Sequence, residues 1–492
     1  AADRLAAHLA GHDIRSGQRV AVWLPGRVET AIALLACSRN GYVCCPSLHR
    51  DHAVRDIAAL VDRMRAAALI AQTGYGADAD RRDVFAEVAD RDFVRCVLRV
   101  GPADATPFGE LPGPSLEIEA SGDANQVMYL PFTSGTTGEP KGVMHSDNTL
   151  LASARMMVSD WRLEGAVLYT LSPLSHNLGL GALVTAISAG GELVVHDPRR
   201  AGSLIDRLQE TCAEFLFGVP THAVDLLAEM RARGARHVGT VRGFRISGAA
   251  APASVVAGLM QYGIVPQSGY GMTESCSHQY TLPDDPPDRI VETCGRTCAS
   301  YEIRIWRQDD PDTEAAPGEI GEIGGRGASL MLGYFDNQQA TEAAFNAQGW
   351  FMTGDLGWID EAGYLRLTGR KKDVIIRGGR NIYPAHIETL ALRHDAIEKA
   401  AVFPVTDARL GERVCLAVET RGGTPLDPEA ILQHLDASGL SRSDMPEFIL
   451  QLCEMPLTAS GKLLKRELAH RVADGRLRPL PVRFRGRSAA RS

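Results

Sequence analysis

The densest run of chemistry-bearing residues is Phe132-Thr133-Ser134-Gly135-Thr136-Thr137-Gly138-Glu139-Pro140-Lys141-Gly142. Glycines let backbone N–H groups close on an anion, hydroxyls add donors, and Lys141 adds positive charge: the makings of a phosphate cradle. The run is not the common P-loop, because Lys141 lies three residues after Gly138 and no Ser or Thr directly follows it. A mobile Ser/Thr/Gly turn is the competing reading, and the ordered ending Pro140-Lys141-Gly142 makes it the weaker one. A strand pattern over 127–130 enters the run, and Val143-Met144-His145 leaves it as another.

Four further clusters follow in order. Ser268-Gly269-Tyr270-Gly271-Met272-Thr273-Glu274 gathers an aromatic, a hydroxyl and a carboxylate at one strand end. Trp350-Phe351-Met352-Thr353-Gly354-Asp355-Leu356 carries an acceptor-only Asp355, suited to a pair of ribose hydroxyls. Gly369-Arg370-Lys371-Lys372-Asp373 is charged and glycine-flanked, and Pro456-Leu457-Thr458-Ala459-Ser460-Gly461-Lys462 ends in a Gly-Lys turn. These five ordered motifs, from Thr133 to Lys462, resemble the adenylate-forming superfamily of acyl-CoA synthetases, adenylation domains and luciferases. They match, in turn, its phosphate loop, its YGMTE and TGD segments, its hinge and its SGK ending. The resemblance covers nearly the whole chain except its first part, where the family carries additional residues.

The resemblance implies a ligase that joins a small-molecule carboxylic acid to ATP as acyl-adenylate and then passes the acyl group to CoA, with Mg²⁺ required. A carboxylate attacking the α-phosphate meets like-charge repulsion, so catalysis is mostly charge neutralisation and alignment. The implied catalytic residues are Lys462, Glu274, Thr273 and His176, with Glu274 holding Mg²⁺, a hard cation that prefers carboxylate oxygen. ATP and AMP binding is implied for Thr133, Ser134, Gly135, Thr136, Thr137, Gly138, Lys141, Gly248, Ala249, Ala250, Gly269, Tyr270, Gly271, Met272, Thr273, Asp355, Arg370 and Lys462. Tyr270 would offer a flat face to adenine. His176, Asn177, Gly179, His222 and Gly269 are the acyl-pocket residues, Gly378, Gly379 and Arg380 the CoA contacts, and Lys372 the hinge. For His176 a satisfied core histidine is an equal rival, and for Lys372 a solvated surface lysine is the rival. The stretches 325–335 and 377–384 are most similar to cyclohexanecarboxylate–CoA ligases and medium-chain synthetases. Asn177 after His176 is similar instead to aryl-acid adenylating enzymes. The pocket segments contain no Arg or Lys, which favours a compact apolar acid, alicyclic or medium-chain, over a charged one.

These clusters must be held by something. Arg19-Val20-Ala21-Val22-Trp23-Leu24 reads as a buried strand ended by Pro25-Gly26, with a helix over 28–39, and the rhythm recurs at 67–70, 191–196 and 204–218. Strands separated by helices imply parallel sheets with crossovers. The expected architecture is α/β: a large N-terminal domain (1–370) with stacked parallel-type sheets, crossover helices and a β unit around 318–325. A hinge (371–373) and a small mobile α+β domain (374–475) follow, and then a basic, disordered tail (476–492). The chain opens on Ala1 inside an amphipathic helix pattern (Leu5, Leu9), which suggests residues upstream.

Composition excludes several classes. A formal charge of −8 and 45% hydrophobic residues fit a globular protein and argue against a nucleic-acid binder. The ten cysteines show no zinc spacing and read as free thiols in a reducing compartment. The most apolar stretch, 178–195, is broken by glycines and Glu192, so no membrane span and a cytosolic location are expected. Two alternatives stay open: an aryl-acid adenylating enzyme that loads a carrier protein, and a catalytically silent nucleotide-binding protein. Retention of Lys462, Glu274 and Asp355 argues against the second.

Overall fold

A computed structural model describes residues 1–46, 49–101, 108, 111, 120–133, 140–198, 200, 202–248, 251–457 and 463–484. The chain forms two compact units: residues 1–303 with 325–351, and residues 304–324 with 352–492.

The larger unit is built on two sheets. In the first, the strand order is Gly333–Tyr334, Lys141–Ser146, Val127–Tyr129, Val43–Cys45, Arg19–Trp23, Ala68–Gln72, Cys96–Val100, with Phe132–Thr133 pairing Lys141–Ser146. Its centre is parallel (Val20 beside Cys44 and Ala68), and the edge around Lys141–Ser146 is antiparallel. The unbroken apolar run of Arg19–Trp23 follows from burial on both faces. Val20 and Val22 pack with Leu5 and Leu9 of helix Ala2–Gly11 and with helix Val28–Asn40. Ala21 and Trp23 pack with Ile57, Val61 and Met64 of helix Val54–Met64. Strands covered on both sides lose the polar alternation of a half-exposed strand.

In the second sheet the order is Arg296–Thr297, Cys276–Tyr280, Val265–Met272, Gly243–Ile246, Phe215–Gly218, Val167–Thr170, Glu192–Val195. Its last five strands are parallel, and the Val265–Met272/Cys276–Tyr280 pair is antiparallel. Phe215 and Phe217 face helices Asp147–Trp161 and Asn177–Ala189, with Trp161 and Phe215 ring centroids 5.1 Å apart. Leu216 and Phe244 face the opposite layer, with Leu226, Met230 and Leu259 of helices Pro220–Arg233 and Ala253–Met260. The apolar stretch over 178–195 is thus a core helix and a strand. Among the described residues no helix is long and apolar enough to cross a membrane.

The smaller unit contains a sheet ordered Tyr301–Trp306, Gly321–Gly327, Phe351–Ile359, Leu365–Arg370 and a second ordered Arg380–Ile382, Ile375–Arg377, Gly411–Thr420, Phe448–Leu452, Leu480–Pro481, with Ile397–Asp407 pairing Gly411–Thr420. The division between the units falls inside strands of the first of these sheets, and residues 304–324 and 352–370 belong to the smaller unit. Helices Pro384–Ala391 and Pro428–Ala437 cover one face of the second sheet, burying Ile387, Leu390, Ile431 and Leu435 against Val402, Leu416 and Ile449.

All ten cysteines are free thiols, and Cys37, Cys44, Cys45, Cys96, Cys298 and Cys415 are buried. The basic tail departs from expectation. Leu480–Pro481 forms an edge strand on Phe448–Leu452, and the Val482 amide donates to the Glu447 carbonyl at 2.9 Å. Val482 and Phe484 pack against the core, with Arg442 over the Phe484 ring at 5.9 Å. Apolar residues interleaved among the arginines hold this part of the tail in place. A chain ending at Arg478 loses these bonds and contacts, each worth about 0.5–1.5 kcal/mol per hydrogen bond. Its smaller unit should melt lower by about 4–8 °C, measured by calorimetry against the full chain.

Candidate active site

The phosphate-cradle residues Ser134, Gly135, Thr136, Thr137 and Gly138 lie outside the described residues, and so do Ala249, Ala250 and Lys462. What flanks the cradle is described. Thr133 pairs with Lys141 across the antiparallel strands, and its hydroxyl donates to the Lys141 carbonyl at 3.4 Å. Lys141 extends its ammonium over the Tyr334 ring, 4.6 Å from the centroid. The Tyr334 hydroxyl in turn donates to Glu274 Oε1 at 3.0 Å.

Lys141, Tyr334 and Glu274 come from three distant segments, and backbone bonds fix their meeting. The strand Gly333–Tyr334 joins Lys141–Ser146 through Leu332 N to Met144 O (2.8 Å) and Phe335 N to Gly142 O (2.7 Å). The Met331 amide reaches the Glu274 carbonyl at 2.7 Å. From the same strand Lys141–Ser146, buried His145 donates through Nε2 to the Thr273 carbonyl at 2.7 Å. The turn that carries Thr273 and Glu274 is therefore pinned at both residues. Gly271 makes this turn tight: a Cβ there would lie 2.0 Å from the Cys276 carbonyl oxygen on the returning strand. Tyr334 was not among the residues singled out from the sequence. Its only signal was a position in the Gly333-Tyr334-Phe335 run, which carries no chemistry by itself.

Burial and the negative charge of Glu274 push the Tyr334 phenol far above its usual value, so it stays protonated as a donor. Glu274 itself is buried at 8% exposure. A carboxylate oriented by a hydroxyl suits a hard divalent cation, so Glu274 fits Mg²⁺. Among the described residues, the one trio whose ligand atoms lie close enough for a metal by themselves is His8, His12 and Cys96, within 4.8 Å of one another. His8 and His12 lie one helical turn apart and Cys96 joins them from a remote strand; Glu274 is not part of that group.

Tyr270 is buried, with its ring 5.7 Å from and edge-on to that of His278. Met272 lies partly exposed at the end of the same strand, and Gly248 adopts φ +94°. His176 caps helix Asn177–Ala189: its Nδ1 accepts from the Leu178 amide at 3.3 Å, which puts the ring proton of the neutral form on Nε2. His176 is half-buried, 6.3 Å from the His49 ring, and His49 Nδ1 meets Ser175 Oγ at 3.0 Å. Asn177 is half-buried beside it. At Gly179 a Cβ would lie 2.2 Å from the Pro173 carbonyl oxygen, so the bare glycine seats the helix against the preceding turn. His222 Nδ1 accepts from the Val219 amide at 3.2 Å at the start of its own helix, and burial holds its pKa down to about 4.

Gly269 has an unforeseen neighbour. A Cβ on it would lie 3.1 Å from the guanidinium of Arg245, which is 1% exposed on the adjacent strand. No Arg or Lys lies within the pocket segments, but Arg245, two residues before Ser247, is turned inward by its strand and stands beside one of them. The signal available was an arginine inside the apolar pattern Phe244-Arg245-Ile246.

In the smaller unit, Asp355 and Arg370 are register partners on strands Phe351–Ile359 and Leu365–Arg370, with Nε to Oδ1 at 3.1 Å. The Asp355 amide donates to Thr353 Oγ1 (3.1 Å), the Gly354 amide donates to Glu322 Oε1 (3.1 Å), and Lys371 pairs with Glu322 at 2.8 Å. Lys372 lies in the single turn Lys371–Asp373, and burial together with Arg370 lowers its pKa. Gly378 and Gly379, both at positive φ (+58° and +85°), form the two-residue tip of the hairpin Ile375–Arg377/Arg380–Ile382. Arg380 is held by Asp444 at 2.9 Å.

This architecture, a large unit with parallel sheets and a smaller α+β unit carrying an Asp–Arg pair, is that of adenylate-forming enzymes. Residues 1–335 match the AMP-binding enzyme family and residues 386–462 the AMP-binding enzyme C-terminal domain. The chain belongs to this family. It is 31% identical to a medium-chain fatty-acid–CoA ligase of Escherichia coli, over 96% of this chain and 85% of that protein. It is 32% identical to a 3-[(3aS,4S,7aS)-7a-methyl-1,5-dioxo-octahydro-1H-inden-4-yl]propanoyl:CoA ligase of Mycobacterium tuberculosis, over 94% and 90% of the two chains. ATP-bound MatB from Rhodopseudomonas palustris superposes with a TM-score of 0.83 at 26% identity, covering 96% of this chain and 92% of that one.

Two outcomes are expected. Tyr334→Phe keeps the ring under Lys141 but removes the donor to Glu274, a loss of about 1–3 kcal/mol. Pyrophosphate exchange should slow by roughly 10–100-fold, with the melting temperature little changed. The second outcome concerns pH. Burial holds His145, His49 and His222 at about 4 and His278 at about 3. A histidine depressed on folding stabilises above its unfolded value near 6.5, and that contribution is lost as pH falls toward 4, on the order of 3 kcal/mol for His145. Urea midpoints should fall steeply between pH 6.5 and 4.5.

Proposed function

We propose that the chain is an ATP-dependent carboxylic acid–CoA ligase acting through an acyl-adenylate on a compact acid, alicyclic or medium-chain. The observation that carries this reading is the Lys141–Tyr334–Glu274 arrangement beside the phosphate-cradle sequence. In the first step a carboxylate oxygen attacks the α-phosphorus of ATP and the bond to pyrophosphate breaks. In the second, the CoA thiolate attacks the acyl carbonyl and the bond to AMP breaks.

Lys141 and the cradle hydroxyls hold phosphate oxygens, Thr273 donates to the α-phosphate, and Asp355 accepts from the ribose hydroxyls with Arg370 beside it. Glu274 is the residue that would hold Mg²⁺, which when bound shields phosphate charge. His176 stands at the mouth of the acyl pocket, whose polar members are Asn177 and His222. Lys462 bridges the acid and the α-phosphate. Lys372 is the hinge about which the smaller domain turns between the two half-reactions, and Gly378, Gly379 and Arg380 meet CoA.

The similarity to a medium-chain fatty-acid–CoA ligase supports the acid class. The test is pyrophosphate release over a panel of acids, with and without CoA. CoA thioester formation supports the reading; release that needs a carrier-protein thiol favours carrier loading, and no release with any acid leaves a silent nucleotide binder. Crossed variants refine the test. Lys462→Ala should slow adenylation by about 100-fold and spare thioester formation from supplied acyl-adenylate. Lys372→Pro, which locks φ near −65°, should do the reverse.

A further inference from the structure

Arg245 and Gln267 form a wall that lacks an acceptor. The two residues are register partners on parallel strands, and both side chains are buried, Arg245 at 1% and Gln267 at 0% exposure. The guanidinium donates to Gln267 Oε1 and to Ser277 Oγ (2.6 Å), touches Met157 Sδ at 3.8 Å, and lies 5.8 Å from the Tyr280 ring centroid. None of these partners is a carboxylate. The nearest acid in the network is Asp160, and its Oδ2 accepts from the Tyr280 hydroxyl at 2.7 Å. Two donors stay unmatched: Arg245 Nε and the Gln267 amide Nε2 have no hydrogen-bond partner. Burial lowers the Arg245 pKa to about 10, which leaves it charged at neutral pH.

Buried cations are ordinarily met by anions, and buried donors by acceptors. A place with one uncompensated charge and two spare N–H groups is short of one oxygen. The guanidinium lies over Gly269, in the space that a side chain there would take. Phe217, on the neighbouring strand, faces the same helix layer as Arg245, the layer whose first turn carries His176 and Asn177.

We propose that Arg245, with Gln267, selects acids that carry an acceptor oxygen, an oxo group or a second carboxylate, remote from the reacting carboxyl. This deepens the ligase reading and rests on the placement of Gly269 in the acyl pocket. It narrows the compact alicyclic or medium-chain class to its oxygenated members. A site that offers a buried donor discriminates strongly against the analogue lacking the acceptor, because the donor is then left unmatched.

The experiment compares matched acids in pyrophosphate release: cyclohexanecarboxylate, its 4-oxo derivative and cyclohexane-1,4-dicarboxylate; octanoate, 7-oxooctanoate and octanedioate. An oxygenated member of at least one series should exceed its parent in kcat/KM by about tenfold or more. Arg245→Met, which fills similar volume without charge, should remove or invert that preference, chiefly through KM. If Arg245→Met does not fold, Gln267→Leu and Arg245→Lys carry the same comparison. Parent acids that match or beat every oxygenated partner overturn the proposal and leave the ligase reading standing. A preference that survives in all the variants also overturns it, assigning the selection elsewhere. No release with any of the acids removes both readings together.

Discussion

Burying a carboxylate costs several kcal/mol unless donors meet it, and Glu274 sits at 8% exposure in the turn after a strand. The larger unit is arranged around that cost. A tyrosine from a remote two-residue strand supplies a hydroxyl, the ring of that tyrosine carries Lys141, and His145 clamps the preceding carbonyl. Each element reports the position of the others. Shift the strand Lys141–Ser146 by one residue and His145 and Lys141 lose their partners together, because alternate residues point to opposite faces.

Much of this was legible in the sequence, for a definable reason. Glycine-rich turns and the residues inside them announce themselves by composition, so the clusters at 132–142, 268–274, 350–356 and 369–373 were found directly. The first strand was legible because burial on both faces leaves an unbroken apolar run at 20–24. What escaped were residues whose significance is relational. Tyr334 is an aromatic among apolar neighbours until the sheet order places it beside Lys141–Ser146. Arg245 looks like a surface arginine until register puts it across from Gln267. That Gly179 seats a helix on the Pro173 carbonyl is likewise visible only in the fold. The ordered end of the tail escaped because six arginines mask the spacing of Leu480, Val482 and Phe484.

The smaller unit solves a different problem. Its Asp355–Arg370 and Glu322–Lys371 pairs keep the arginine and lysine side chains nearly half exposed, at 45% and 43%. Pairs in such surroundings are worth little each, because water competes for both partners. The carboxylates are far less exposed, at 11% and 8%, and that of Glu322 also accepts from the Gly354 amide. In both pairs the acid is the buried partner and the cation the exposed one.

The cysteines carry a consequence for chemical self-compatibility. An acyl-adenylate is an acylating agent, and any nucleophilic thiol beside it would capture the acyl group irreversibly from the productive route. Cys276 stands two residues after Glu274, closer in sequence to the Thr273–Glu274 turn than any other thiol. Burial pushes its pKa up to about 12, and it pushes those of Cys45 and Cys96 upward too, Cys96 to about 11. Thiols so rarely ionised are poor nucleophiles. The protein can thus keep sulfur throughout its core while hosting a reactive mixed anhydride, because the solvent exclusion that packs these residues also silences them.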